Sequence, residues 1–185
     1  MGIGLYREGR FWLVVLLLLV VPIRNAASAD ITPEQVKASY LLQLRKFVQA
    51  GAPPHALNTV CYYEKPGVPA DESVGQILKK YVLVQHVDQI NVKWVQAARD
   101  FSGCDMLYIP TEEEGSIDDI LSKLGSSSTL TVSDAKRFIV HGGMVGFVVD
   151  DANRIRLEGN LKNMSSNNVM ADAQLLEIMQ QVVRH

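Results

Sequence analysis

The sequence has no excess of basic residues and few histidines, and each shortage argues against a class of function. Its 185 residues include 18 lysines and arginines against 20 aspartates and glutamates, which leaves a net charge of −2. Nucleic-acid-binding domains carry a basic patch or stripe, so no nucleic-acid partner is expected. The four histidines do not stand at metal-ligand spacing from one another or from a cysteine, so the sequence predicts no metal site and no other cofactor.

The motifs of nucleophilic catalysis are also missing. There is no Gly-x-Ser-x-Gly turn. Ser133, Asp134 and His141 are the residue types of a catalytic triad, but the first two are also residue types that cap helices. The Gly142-Gly143 pair precedes a strand-like segment rather than a helix, which predicts a tight turn with positive φ and not a phosphate cradle. The run Glu112-Glu113-Glu114 is interpreted as solvated loop surface, with a patch for a basic partner as the alternative. We therefore expect a protein that is not an enzyme.

Only one long apolar run is present, and it lies near the amino terminus. Arg7 and Arg10 precede the uninterrupted apolar segment 11–21, and Ala27-Ser28-Ala29 follows after a proline. A charged region, an apolar region and a small-residue cleavage site together predict a secretory signal peptide, cleaved near Ala29-Asp30. The run is shorter than the ~20 residues that cross a bilayer core, although an uncleaved anchor remains the alternative. The mature protein is then exported and is not itself inserted in a membrane.

Residues 30–185 are long enough for one domain with a hydrophobic core. Both cysteines lie in this part, and Cys61 and Cys104 each stand at or near the start of an apolar, strand-like run. The two runs could be adjacent strands of one sheet. In an oxidising compartment two cysteines most simply form one disulfide, and two unpaired buried thiols are the alternative.

Hydrophobic periodicity predicts alternating helices and strands along the mature chain. This alternation is typical of a single-domain α/β sandwich with a mostly parallel central sheet, to which a C-terminal hairpin adds antiparallel edge strands. The predicted helices are 32–48, 71–81, 96–102, 116–124, 133–139 and 173–182. The predicted strands are 58–64, 81–84, 90–95, 104–109, 129–132 and the hairpin 144–149 with 154–158.

The order of several segments resembles the YfiR family of periplasmic regulators. None of the segments is specific alone, but the ordered set behind a signal peptide covers nearly the whole mature chain. The matching segments are Ser39–Val48, Val60-Cys61-Tyr62, Cys104–Ile109, Leu130–Asp134, His141–Val145, Arg154–Leu161 and Gln174–Ile178.

The resemblance implies a periplasmic repressor. Such a protein binds the periplasmic sensor part of an inner-membrane diguanylate cyclase and represses it, which limits cyclic-di-GMP signalling and biofilm formation. An OmpA-like outer-membrane lipoprotein is the second partner that the resemblance implies, and a homodimer is left open. The alternative function is a periplasmic small-molecule binding protein of similar fold. Its crevice would lie outside the carboxyl ends of the parallel strands, lined by the loop after Ile109 and the turn after Val132.

Overall fold

The protein is described by a computed structural model that covers residues 31–64, 73–85 and 89–183. The predicted signal peptide, residues 1–29, and its cleavage site lie outside these described residues. The first two residues of the predicted second helix, Asp71 and Glu72, also lie outside them.

The described residues form five α-helices and ten strands, with short 3-10 turns at Ala98–Asp100 and Thr111–Ser116. The helices are α1 (Pro33–Phe47), α2 (Val74–Val84), α3 (Ile117–Leu124), α4 (Leu161–Ser166) and α5 (Ala173–Ile178). The strands are β1 (Val48–Ala50), β2 (His55–Ala56), β3 (Thr59–Tyr63), β4 (Asn91–Val95), β5 (Met106–Ile109), β6 (Leu130–Ser133), β7 (Val145–Val149), β8 (Ile155–Asn160), β9 (Val169–Ala171) and β10 (Met179–Val183).

Seven of the strands form one sheet in the order β10-β8-β7-β6-β5-β3-β4. Every neighbouring pair in it is parallel except β7 and β8, which form the antiparallel hairpin. This arrangement confirms the predicted α/β fold with a mostly parallel sheet and a C-terminal hairpin. The hairpin is not at the edge, however, because β10 pairs with β8. A small antiparallel sheet, β2-β1-β9, was not predicted.

The central strands are apolar because both faces of the sheet are covered. All four residues of β5 and all four of β6 are buried. Met106 and Tyr108 join a core cluster with α1, α2 and α5, whereas Leu107 and Ile109 join a second cluster with α3. This alternation follows from the two-residue period of a strand, and near-continuous apolar strands are typical of parallel sheets.

The start of α1 follows the capping pattern in the sequence. The Thr32 hydroxyl accepts from the backbone N–H of Gln35, and the Gln35 side chain accepts from the backbone N–H of Thr32. Pro33 occupies the first helical position, where its missing N–H costs nothing. α1 therefore begins at a defined point, which fixes the side chains of its first turns relative to the sheet.

Four predicted elements differ in the structure. The predicted helix 96–102 is reduced to the 3-10 turn Ala98–Asp100. Residues 81–84 are the last turn of α2 and not a strand, because Leu78 is buried and Tyr81 and Val82 continue its packing at helical spacing. The final helix ends at Ile178, and the following residues form β10, which covers the otherwise open edge of β8. Residues 134–139 form turns rather than a helix, and Arg137 takes a positive φ of 57° that α-helical backbone excludes.

The disulfide joins β3 to the segment that leads into its neighbour β5. Cys61 lies in β3, Cys104 lies two residues before β5, and their Cα atoms are 5.7 Å apart. Both side chains are buried, and β3 pairs directly with β5. On the chain-entropy model, closing a loop of this length stabilises the folded state by about 4 kcal/mol.

The turn at the glycine pair needs both glycines. Gly142 has a φ of +98°, which confirms the predicted tight turn. Gly143 instead lies against the buried Phe138 ring, and a Cβ on Gly143 would overlap that ring. The turn thus brings β7 into the sheet while the Phe138 ring fills the second core cluster.

We expect Gly143→Ala to lower the free energy of unfolding by about 1–3 kcal/mol, because the added methyl group displaces a core ring. Gly115→Ala is the matched control, since no atom lies within 4 Å of its Cβ position and its φ is not positive. Urea denaturation of both variants measures the difference. Equal free energies of unfolding for the two variants would show that the core around Phe138 accommodates the added methyl group without loss of stability.

The hairpin between β7 and β8 is closed by Asp150. Its Oδ1 accepts from the backbone N–H groups of Ala152 (3.0 Å) and Arg154 (2.9 Å), and its Oδ2 accepts from Nε of Arg154 and of Arg156 at 2.9 Å each. The backbone N–H of Arg154, followed by the two guanidinium groups, holds the pKa of Asp150 well below its usual value. The charged carboxylate is therefore the form that the turn binds.

Asp150→Asn should destabilise the protein at pH 7, because the amide keeps the shape but loses the charge that these donors stabilise. A lowered folded-state pKa adds stability that is present above the unfolded pKa of about 3.9 and is lost as the pH falls further. The loss of stability caused by Asp150→Asn should therefore become smaller as the pH falls below about 4. Thermal unfolding across this range measures it, with the exposed neighbour Asp151→Asn as control. A deficit independent of pH would contradict the electrostatic explanation.

Candidate functional site

A crevice of about 920 Å³ lies at the carboxyl ends of the central parallel strands. The strand order explains where the crevice lies. β4 follows β3 in the chain and pairs with one side of β3, whereas the next strand, β5, pairs with the other side of β3. This reversal is a topological switch point, where open α/β sheets bind ligands. The lining residues are Thr32, Glu34, Gln35, Lys37, Tyr62, Tyr63, Glu64, Ser73, Val74, Gln76, Ile77, Lys79, Lys80, Tyr81, Leu83, Tyr108, Pro110, Glu113 and Asp134.

Two helices begin at this crevice and form its walls. The Thr32 hydroxyl caps α1 through the N–H of Gln35, and the Ser73 hydroxyl caps α2 through the N–H of Gln76, each at 3.3 Å. The positive ends of both helix dipoles therefore face the crevice, and side chains already satisfy part of their backbone donors.

Three charged side chains in the crevice are largely removed from solvent. Lys37 of α1 donates to Oδ2 of Asp134, and these side chains are 16% and 12% exposed. The second oxygen of Asp134, Oδ1, is buried and has no hydrogen-bond partner among the described residues. Glu113 is 6% exposed. Burying charges without full pairing costs free energy.

Aromatic side chains contribute to the apolar lining. The rings of Tyr62 and Tyr108 stack with their centroids 5.7 Å apart. Burial, followed by the negative charge of Glu113, raises the pKa of Tyr63 above its usual value. An apolar wall with a few polar groups is the usual lining of a small-molecule site.

The residue types of a catalytic triad are not brought together. Ser133 Oγ accepts from the backbone N–H of Ala135, Asp134 pairs with Lys37, and Nδ1 of His141 lies 3.0 Å from Oδ1 of Asp118. Neither Cys61 nor Cys104 lines the crevice, and their disulfide lies in the second core cluster. Among the described residues, no group of three or more His, Cys, Asp or Glu side chains could hold a metal ion.

Sequence reasoning located the crevice but missed its buried charges. Pro110 and Glu113 follow Ile109, and Asp134 follows Val132, so the two predicted segments do line it. The expectation that the whole 112–114 run is solvated was wrong for Glu113, because the 3-10 turn directs this residue inward. The burial of Lys37 could have been predicted from the sequence. Lys37 lies four and seven residues before the buried Leu41 and Leu44, and therefore on the same face of the helix.

No helix among the described residues has both the length and the apolar character needed to cross a lipid bilayer.

The fold is similar to two solved structures of distant sequence. A conserved domain protein from Vibrio cholerae O1 biovar El Tor N16961 superposes with a TM-score of 0.59 and 9% identity, covering 83% of this chain and 61% of that one. The ABC domain in complex with L-Trp from Streptococcus pneumoniae has a TM-score of 0.57 and 12% identity, covering 82% and 60%. This chain thus spans about three fifths of each, and such identities show the fold alone.

No curated protein matches the sequence at a significant level. The sequence profile of the YfiR/HmsC-like family matches residues 34–179, which is most of the chain. The family consists of periplasmic regulators rather than enzymes, and they act with diguanylate cyclases. The protein therefore belongs to the YfiR/HmsC-like family.

Proposed function

We propose that this protein binds the periplasmic sensor region of an inner-membrane diguanylate cyclase and holds the enzyme inactive. The result is lower cyclic-di-GMP and less biofilm. The observation that carries the proposal is the family match over residues 34–179. The amino-terminal segment supports it, since residues 1–29 have the pattern of a signal peptide cleaved near Ala29-Asp30.

Repression by binding requires a difference in affinity between two states of the cyclase. A protein that binds the active and inactive states equally well shifts nothing. Shifting the cyclase from almost fully active to almost fully inactive needs about 10⁴-fold tighter binding to the inactive state. An OmpA-like outer-membrane lipoprotein that sequesters the repressor would lower its free concentration and release the cyclase.

The outer end of the hairpin is the proposed contact surface. Val149 is 65% exposed and Ile178 is 56% exposed. Val149 pairs with Ile155, and Met179, the residue after Ile178, pairs with Leu157. The two exposed side chains therefore lie near the same end of the sheet. Interface energy concentrates in a few such apolar anchors that become buried on binding.

Small-molecule binding in the crevice is a second candidate function. The crevice lies at the switch point of the sheet, and the similarly folded Streptococcus pneumoniae domain was solved in complex with L-Trp. A thermal-shift screen with a metabolite panel tests this function, because a ligand of the native state raises the melting temperature. A panel without any hit would count against it.

Capture from solubilised inner membrane tests the main proposal. The oxidised protein, purified from the periplasm, serves as bait, and mass spectrometry identifies what it retains. A diguanylate cyclase in the eluate is the expected result. An eluate that lacks any cyclase would contradict the proposal.

We expect Val149→Glu and Ile178→Glu each to weaken cyclase binding by about tenfold or more, because an anchor then carries a charge into an interface. Val140→Glu is the matched control, since Val140 is a valine of similar exposure (64%) in a turn outside the hairpin. Binding is measured by surface plasmon resonance. Equal losses for all three variants would exclude the hairpin end as the contact surface. Light scattering of the free protein shows whether a homodimer uses the same residues.

A further inference from the structure

The buried part of the crevice carries more negative than positive charge. Glu113 and Asp134 are two carboxylates, and Lys37 is the only ammonium group among the crevice residues that is comparably withdrawn from solvent. The other lysines of the lining, Lys79 and Lys80, are exposed, and Lys79 lies over the Trp94 ring at 5.2 Å. Solvent and salt screen exposed charges far more than buried ones, so the exposed lysines do not cancel the buried carboxylates.

The carboxylate of Asp134 is incompletely paired. An ionised carboxylate offers about four acceptor positions. Lys37 occupies Oδ2, and the buried Oδ1 has no hydrogen-bond partner among the described residues. Glu113 adds a second negative charge, which, after burial, contributes to the raised pKa of the neighbouring Tyr63. One further positive charge in the crevice would balance this set.

The available space and the apolar lining favour an organic cation over a metal ion. A bare divalent metal needs several ligands, and no such group exists among the residues that the structure describes. An ammonium group needs only one or two carboxylates, and its apolar part would contact Tyr62, Ile77 and Tyr108. The volume of about 920 Å³ accommodates a small organic molecule.

An anion fits the same space less well. Helix amino termini attract anions, but the hydroxyls of Thr32 and Ser73 already accept from the N–H groups of Gln35 and Gln76. An anion at α1 would also meet the carboxylate of Glu34, which lines the same wall.

We infer that the crevice binds a small organic amine whose positively charged nitrogen pairs with Glu113, with the negative charge of Asp134 in the same crevice, and whose apolar body lies against Tyr62 and Ile77. This inference rests on the second candidate function, small-molecule binding, and does not depend on the regulation of a cyclase.

Three probes of one skeleton test the required charge: phenethylamine (cation), 2-phenylethanol (neutral) and phenylacetate (anion). Binding to the oxidised protein purified from the periplasm is measured by calorimetry at pH 7. Phenethylamine is expected to bind at least about tenfold more tightly than the other two, because only its nitrogen can pair with the carboxylates. Equal affinities for the three probes, tighter binding of phenylacetate, or a Kd for phenethylamine weaker than about 10 mM would overturn the inference.

Variants locate the binding to the proposed residues. Glu113→Gln should weaken phenethylamine binding by about tenfold, the usual effect of losing a charged hydrogen bond, and Asp134→Asn should weaken it because a nearby negative charge is lost. Glu114→Gln is the matched control, because Glu114 is the exposed neighbour in the same 3-10 turn and does not line the crevice. Asp134→Asn also removes the partner of Lys37, so Glu113→Gln decides the outcome if that variant fails to fold. Unchanged binding in Glu113→Gln would overturn the inference.

The metabolite panel distinguishes failure of the amine inference from failure of the small-molecule function on which it rests. Hits among neutral or anionic metabolites, without binding of phenethylamine, would leave small-molecule binding intact and reject only the amine. An absence of binding in the metabolite panel and in calorimetry with phenethylamine would reject the small-molecule function together with the amine inference. The proposed repression of a cyclase is tested independently by capture.

Discussion

The pairing of β3 with β5 is the contact on which the other elements depend. The Cys61–Cys104 disulfide fixes it covalently, and Asp105, next to Cys104, adds hydrogen bonds. Oδ2 of Asp105 accepts from the N–H groups of Asn58 and Thr59 at 2.9 and 2.8 Å, and its own N–H donates to the Thr59 carbonyl at 2.9 Å. These contacts hold β3 and β5, which are far apart in sequence, in one register. β4 then pairs with β3 on one side, and β6 pairs with β5 on the opposite side.

That pairing also creates the site. Because β4 and β5 lie on opposite sides of β3, the segments that follow the strands diverge and leave a crevice between α1 and α2. Lys37, Glu113 and Asp134 enter it from three separate elements. Their charges are close to the apolar core, where the effective dielectric constant is low and each unpaired charge has a larger effect than at the surface. The regulatory contact that we propose lies elsewhere, at the outer end of the hairpin.

Much of the fold could be predicted because local patterns and tertiary packing agree. The capping box at Thr32, the apolar strands and the β7–β8 hairpin are all visible in the sequence. Predictions were wrong where packing overrides local preference: β-branched residues at 81–84 extend α2, and the apolar stripe of the final helix continues as β10. The position of the crevice could be predicted because open parallel sheets bind ligands at the carboxyl ends of their strands. The inward direction of Glu113 depends on a 3-10 turn that no sequence pattern indicated.

The activity of the captured cyclase shows directly whether this protein is a repressor. Cyclic-di-GMP synthesis by the solubilised enzyme is measured while the oxidised protein is titrated in. If the protein is a repressor, synthesis falls with added protein and reaches a plateau at the stoichiometry of the complex. Synthesis that is unchanged or increased, although the complex forms, would contradict a repressor.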